Sequence, residues 1–220
     1  MRLFQFPGLF FVALFCSLAY SQTPSPAAVT FTIDFPNSQP EHYSIRVPSE
    51  DLARYQSHGR LSADSDEIDS FDLDFSVTPG IRDKIFALAA KAGYFQKDIA
   101  SHHKGLAFTG EKTLGYHDAQ RNAECTFNFS EVPAVQELTS LLQNLSATLE
   151  FGHRLQYDHR YQKLALDEEL KHMEDQSRRN ELIEITAIQS VLDQIIADST
   201  VINVTRARAP AGAGRGRGLR

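Results

Sequence analysis

Tryptophan is missing from this chain of 220 residues, and cysteine and methionine occur only twice each. Cys16 falls in an apolar N-terminal run, which leaves Cys125 alone in the body of the chain. A single cysteine makes no internal disulfide, so the fold has to be held by its core. Outside residues 9–18 no stretch is long and apolar enough to span a bilayer as a helix. The strings that announce common chemistries are missing as well: no G-x-S-x-G, H-E-x-x-H or C-x-x-C, no phosphate-cradling loop and no dinucleotide fingerprint. Catalytic groups assembled in space leave no such string, so enzymes as a class stay open.

Positive charge is scarce where most of the chain lies. The formal net charge is −6, but six arginines sit at the two ends: Arg2, Arg206, Arg208, Arg215, Arg217 and Arg220. Residues 22–205 then carry 16 basic against 28 acidic side chains, a net −12. An acidic body repels nucleic acid and anionic membrane, so no nucleic-acid partner is expected. The tail has the opposite sign and would make weak contact with an anionic membrane surface through Arg206, Arg208, Arg215, Arg217 and Arg220. It has no aromatic residue to stack on bases.

What is present begins with a basic start, the apolar run and small residues Ala19 and Ser21, the pattern of a secretory signal peptide cut near Ser21. A retained anchor is the rival reading, with Pro7-Gly8 interrupting the run against it. The expected location is secreted or periplasmic. Residues 22–28 are a Ser/Pro-rich linker. Phe31, Ile33 and Phe35, then Tyr43, Ile45 and Val47, alternate with polar residues and predict a β-hairpin. Residues 48–69 give no clear period. Phe71, Leu73, Phe75 and Val77 form another alternating strand, followed by Thr78-Pro79 as a helix start, Ile81, Ile85, Leu88 and Ala92 at helical spacing, and Gly93 as a stop. Short strands are predicted at 106–108 and 114–116 and a longer one at 123–129, six in all.

From Glu131 onward the period is helical. Val135, Leu138, Leu142, Leu145 and Leu149 form one stripe, which Gly152 is expected to break. Further helices are predicted at about 157–175 and 180–197, with a last short helix or strand at 201–209. The fold class is therefore α+β: an antiparallel sheet with helices packed on one face, followed by a C-terminal helical hairpin. The expected division is signal peptide 1–21, linker 22–28, α+β domain 29–151, helical extension 152–209 and a disordered Gly/Arg tail at 210–220. The string TPGIRDKIFALAAKAGYF and the later RYQKLALDEELKHME are similar to an uncharacterised family of predicted-secreted bacterial proteins. That resemblance covers nearly the whole mature chain and implies no activity.

The sharpest candidate chemistry is a pair of Glu-x-x-His steps, Glu150/His153 and Glu169/His172. Each step puts a carboxylate and an imidazole on one helical face, as carboxylate-bridged metal sites do, with Glu181 or Glu184 as further ligands. On one straight helix the steps would lie about 28 Å apart, so a metal site demands a bend near Gly152. The alternative is a solvated helix face. His102-His103 lie in a polar loop without an evident third ligand. Residues 64–69 are acidic but lack the glycine and distal glutamate of an EF-hand. His153, Tyr157 and His159 cluster at a helix junction. Cys125 shares the inward parity of Phe127 and Phe129 and reads as a small core residue. The three Asn-x-Ser/Thr triplets, at Asn128, Asn144 and Asn203, read as chance. No cofactor is expected. The leading functional expectation is a non-enzymatic binding or assembly module, holding an unknown protein partner through its helical extension or a sheet edge. The second is a metal-dependent hydrolase or oxidase using Glu150, His153, Glu169 and His172.

Overall fold

The computed structural model describes residues 26–60 and 68–212. The signal region, the acidic residues 64–67 and the tail beyond 212 lie outside them. Six antiparallel strands form one sheet: β1 (Ala28–Asp34), β2 (His42–Pro48), β3 (Ala53–Arg60), β4 (Ile68–Phe75), β5 (Glu111–His117) and β6 (Asn122–Phe127), in the order β4-β3-β2-β1-β5-β6. The predicted hairpin pairs Phe31 with Ile45 and Val29 with Val47, and β5 lies on the other side of β1 with Leu114 opposite Phe31. Alternation does what the pleat requires: Val29, Phe31, Ile33, Tyr43, Ile45, Val47, Leu114 and Tyr116 are buried on one face. Each large apolar side chain so buried contributes about 1.5–3 kcal/mol.

That face is covered by helices. α1 (Pro79–Lys91) opens with proline at its first position and stops before Gly93, whose φ is +67°. Thr78 does not cap it. Its backbone N–H and hydroxyl both reach Glu184 instead, at 3.2 and 2.5 Å, tying the start of α1 to the C-terminal helices. α2 (Pro133–Tyr161) is 29 residues and about 44 Å long. It buries the predicted stripe Val135, Leu138, Leu142, Leu145 and Leu149, and continues it to Leu155.

Several expectations need correction. α2 does not break at Gly152. A Cβ there would lie 2.3 Å from Cγ2 of Ile188, so the glycine admits a neighbouring side chain rather than ending the helix. Residues 157–161 consequently belong to α2, and the next helix, α3, spans Leu166–Arg178. Residues 180–184 are not helical; a 3₁₀ turn at Ile185–Ile188 leads into α4 (Gln189–Ala197), and α5 runs Asn203–Gly212, past Pro210. α2 packs on α3 and α4, and α5 on α3 and α4, so the C-terminal part is not a simple two-helix hairpin. No helix among the described residues is long and apolar enough to cross a membrane.

The strand count of six holds, but one member differs. Residues 106–108 are not a strand. Glycines at positive φ flank them (Gly105, +81°; Gly110, +95°), and the Asn128 carboxamide takes the ladder's place, accepting from Thr109 N and donating to Ala107 O, both at 2.8 Å. The strand the sequence concealed is β3. Its inward positions are Ala53, Tyr55, Ser57 and Gly59, and three of the four are too small to signal an apolar face.

Candidate functional site

Those small residues open a cleft. At Ser57 and Gly59 the sheet offers almost no side-chain bulk where α2 crosses it, and a cavity of about 260 Å³ remains. Gly59 has a second constraint, since a Cβ there would lie 2.8 Å from the backbone N of Glu41. The chain at Gln39 and Pro40 thus comes close enough to form one wall. Asp69, opposite Gly59 across the β3–β4 ladder, forms another. The floor is one face of α2: Glu150, His153, Arg154, Tyr157 and Asp158, spaced by three and four residues so that they align along the helix.

The deepest group is Glu150, only 8% exposed. Tyr55, fully buried on β3, donates its phenol proton to Glu150 Oε1 at 2.7 Å, and its oxygen lies 2.9 Å from Ser146 Oγ. Burial pushes the Tyr55 phenol far up, and the charge of Glu150 pushes it the same way. Tyr43 is raised chiefly by burial too. Nearer the mouth, His153 Nε2 donates to Asp69 Oδ2 at 2.6 Å while its ring stacks on Phe71, with centroids 4.2 Å apart and planes 18° from parallel. Arg154 Nε donates to Glu169 Oε1 at 2.6 Å, and the guanidinium lies 4.7 Å above the Phe151 ring. Arg60 faces Glu41 at 3.7 Å.

Counting these pairs leaves the cleft acidic. Arg60 and Arg154 are neutralised by Glu41 and Glu169, and Asp69 is hydrogen-bonded to His153. Glu150 and Asp158 have no ionic partner among the described residues. Asp158 is half-buried, and its carboxyl is pushed up to about 6 by burial and then by the charge of Glu169, with Arg154 opposing. A folded-state value above the unfolded 3.8 means that the folded protein holds the proton more tightly. The ionised carboxylate therefore opposes folding above about pH 6, and this effect is gone below about pH 4. Asp158→Asn should stabilise the protein by roughly 1 kcal/mol near pH 7.5, after allowance for solvent screening, and by nothing near pH 3.5. Urea unfolding at the two pH values measures it.

The four residues of the paired Glu-x-x-His steps do not converge. Glu150 and His153 line the cleft, Glu169 is held by Arg154, and His172 is exposed on α3. Glu181 is paired with Arg179 and Glu184 with Thr78. Among the described residues no three His, Cys, Asp or Glu side chains are placed to hold one metal ion. His102 and His103 point to separate carboxylates, Asp98 and Glu131, each at 2.8 Å, on an exposed loop. Cys125 is half-buried, 4.0 Å from Asp98 Oδ1, and Phe129 turns outward beyond the end of β6. His159 binds Asp198, which Lys163 and Thr200 also hold, and these contacts keep that carboxyl well below the usual range. Arg208 is engaged too, with Asp167 at 3.1 Å and Glu174 at 3.3 Å, and so is not a free tail cation.

Sequence reasoning named Glu150 and His153 but missed Tyr55, Asp69 and Asp158. Asp69 carried a usable signal, because it shares parity with the inward residues Phe71, Leu73 and Phe75. An aspartate on the apolar side of a strand needs a partner, and His153 is that partner. Compared with known proteins, the chain matches no family model, and no curated protein is similar to it at a significant level.

Proposed function

We propose that the chain is an exported, non-enzymatic binding module whose cleft receives a basic side chain of a protein partner. The observation that carries this reading is the half-buried Asp158 carboxylate, left without an ion-pair partner among the described residues and driven up to about 6 by burial and the charge of Glu169. A guanidinium or ammonium entering the cleft would pair with it and remove the penalty of its burial. Size supports the same reading. About 260 Å³ is below the usual range for a drug-sized ligand and suits a single lysine or arginine side chain. The wall strand β4 pairs only with β3 among the described residues, so an approaching extended segment also meets a sheet edge.

The test is NMR titration of the mature chain with the capped peptides Gly-Arg-Gly and Gly-Lys-Gly, with Gly-Glu-Gly as control. The basic peptides should shift Asp69, His153 and Asp158, and Asp158→Asn should weaken them by roughly tenfold. Equal response to the acidic peptide, or none to any, refutes the reading. The rival, a metal-dependent hydrolase or oxidase, makes a different prediction. Protein purified from its own host would hold stoichiometric metal, lost on His153→Ala, and the basic peptides would not bind.

A further inference from the structure

A second concavity lies at the other end of α2. It has a volume of about 490 Å³ and is walled by Phe127 and Phe129 from the end of β6, Lys112 from β5, and Gln136, Thr139 and Gln143 from the first half of α2. Among the described residues no aspartate or glutamate lines it, although residues 22–205 carry a net −12. Its cation is deep: Lys112 is 5% exposed, and its Nζ donates to Thr109 O, Gly110 O and Asn128 O, with Thr109 Oγ1 also within reach, all at 2.9–3.0 Å. These acceptors are neutral. They replace the ammonium's water but leave its charge uncancelled, and no carboxylate pairs with it among the described residues. Desolvation accordingly pulls the ammonium's pKa down. Thr139 lines the same groove and is 8% exposed, and its hydroxyl oxygen, buried just beneath the surface, has no hydrogen-bond partner among the described residues. Phe129, 42% exposed, supplies an open aromatic surface beside it.

We propose that this groove binds a small organic monoanion with an apolar body, an aryl or short-chain carboxylate, whose anionic end is held by the field of Lys112 and the Thr139 hydroxyl and whose body lies on Phe127 and Phe129. A buried cation without a counter-ion attracts a carboxylate more strongly than an exposed one does, because little water screens it. The aromatic wall selects for the apolar body. Acetate meets only the first requirement and benzylamine only the second. Benzoate and hexanoate meet both.

The experiment is NMR titration of the full mature chain with benzoate, hexanoate, acetate and benzylamine, followed by the variants T139V and F129A. Benzoate or hexanoate should shift the amides around Lys112, Thr139 and Phe129, whichever binds better naming the preferred body, while acetate and benzylamine should not. T139V removes a buried hydroxyl that nothing satisfies, so its melting temperature should stay level or rise while affinity falls roughly five- to tenfold. A merely structural threonine would not give that opposition. F129A changes an exposed side chain, should fold normally and should weaken binding by a similar factor. K112M should abolish binding; where it fails to fold, T139V and F129A still decide the matter. Benzylamine binding as well as benzoate, no shifts with any carboxylate, or unchanged affinity in both T139V and F129A would overturn the proposal.

Discussion

Gly152→Ala is expected to destabilise the protein by about 2 kcal/mol or more, a fall of several degrees in melting temperature. Alanine in a helix interior normally gains about 1 kcal/mol over glycine, so the expected sign is opposite to what propensity predicts. The reason is steric. The new methyl would meet Ile188 Cγ2 at 2.3 Å and Ile188 Cβ at 3.0 Å, and a β-branched side chain cannot rotate both atoms out of the way. α2 and the 3₁₀ turn at Ile185–Ile188 would have to separate, opening the packing around Leu149, Leu155 and Leu192. Ile188→Ala alone should cost about 2–4 kcal/mol, and the double variant should cost less than the two singles together. Urea unfolding of the four proteins gives the coupling. A Gly152→Ala protein more stable than wild type would mean that the helix and the turn do not touch.

Tyr55→Phe should cost about 2–4 kcal/mol although it removes a single oxygen. That oxygen serves Glu150 at 2.7 Å and Ser146 at 2.9 Å in a region where Tyr55 is fully buried. Its loss leaves a carboxylate desolvated with one donor fewer. Glu150→Gln keeps an acceptor for the phenol and removes the charge, and should cost about 1 kcal/mol or less. Tyr55→Phe combined with Glu150→Leu should recover most of the loss, because a buried polar pair replaced by apolar groups of similar shape is close to neutral. A small effect of Tyr55→Phe alone would mean that water reaches Glu150 and that the cleft is wetter than its burial implies.

The parts of the fold legible in the sequence are those where one side-chain period dominates. The hairpin of β1 and β2, the strand leading into Pro79 and the stripe from Val135 to Leu149 bury large residues at regular intervals, and they form as their spacing dictates. β3 was concealed because its inward row ends in Ser57 and Gly59, where the partner across the sheet is empty space rather than a core. The same two residues that hid the strand make the cleft. Gly152 misled for a related reason: a glycine in a helical pattern signals a stop or a close contact equally well, and only Ile188, 36 residues on, decides which. Of the site, Glu150 and His153 were visible because three-residue spacing on a helix is a local signal. Their true partners, Tyr55 and Asp69, lie 95 and 84 residues away in the chain and could be joined to them only by the packing of α2 across the sheet.

The most direct test of the cleft as a cation seat is to follow the Asp158 side-chain carboxyl by ¹³C NMR through a pH titration, with and without a saturating arginine peptide. The carboxyl should titrate near 6 in the free protein and move toward ordinary aspartate values when the guanidinium is bound. A free-protein value near 4 that the peptide does not change would contradict the account.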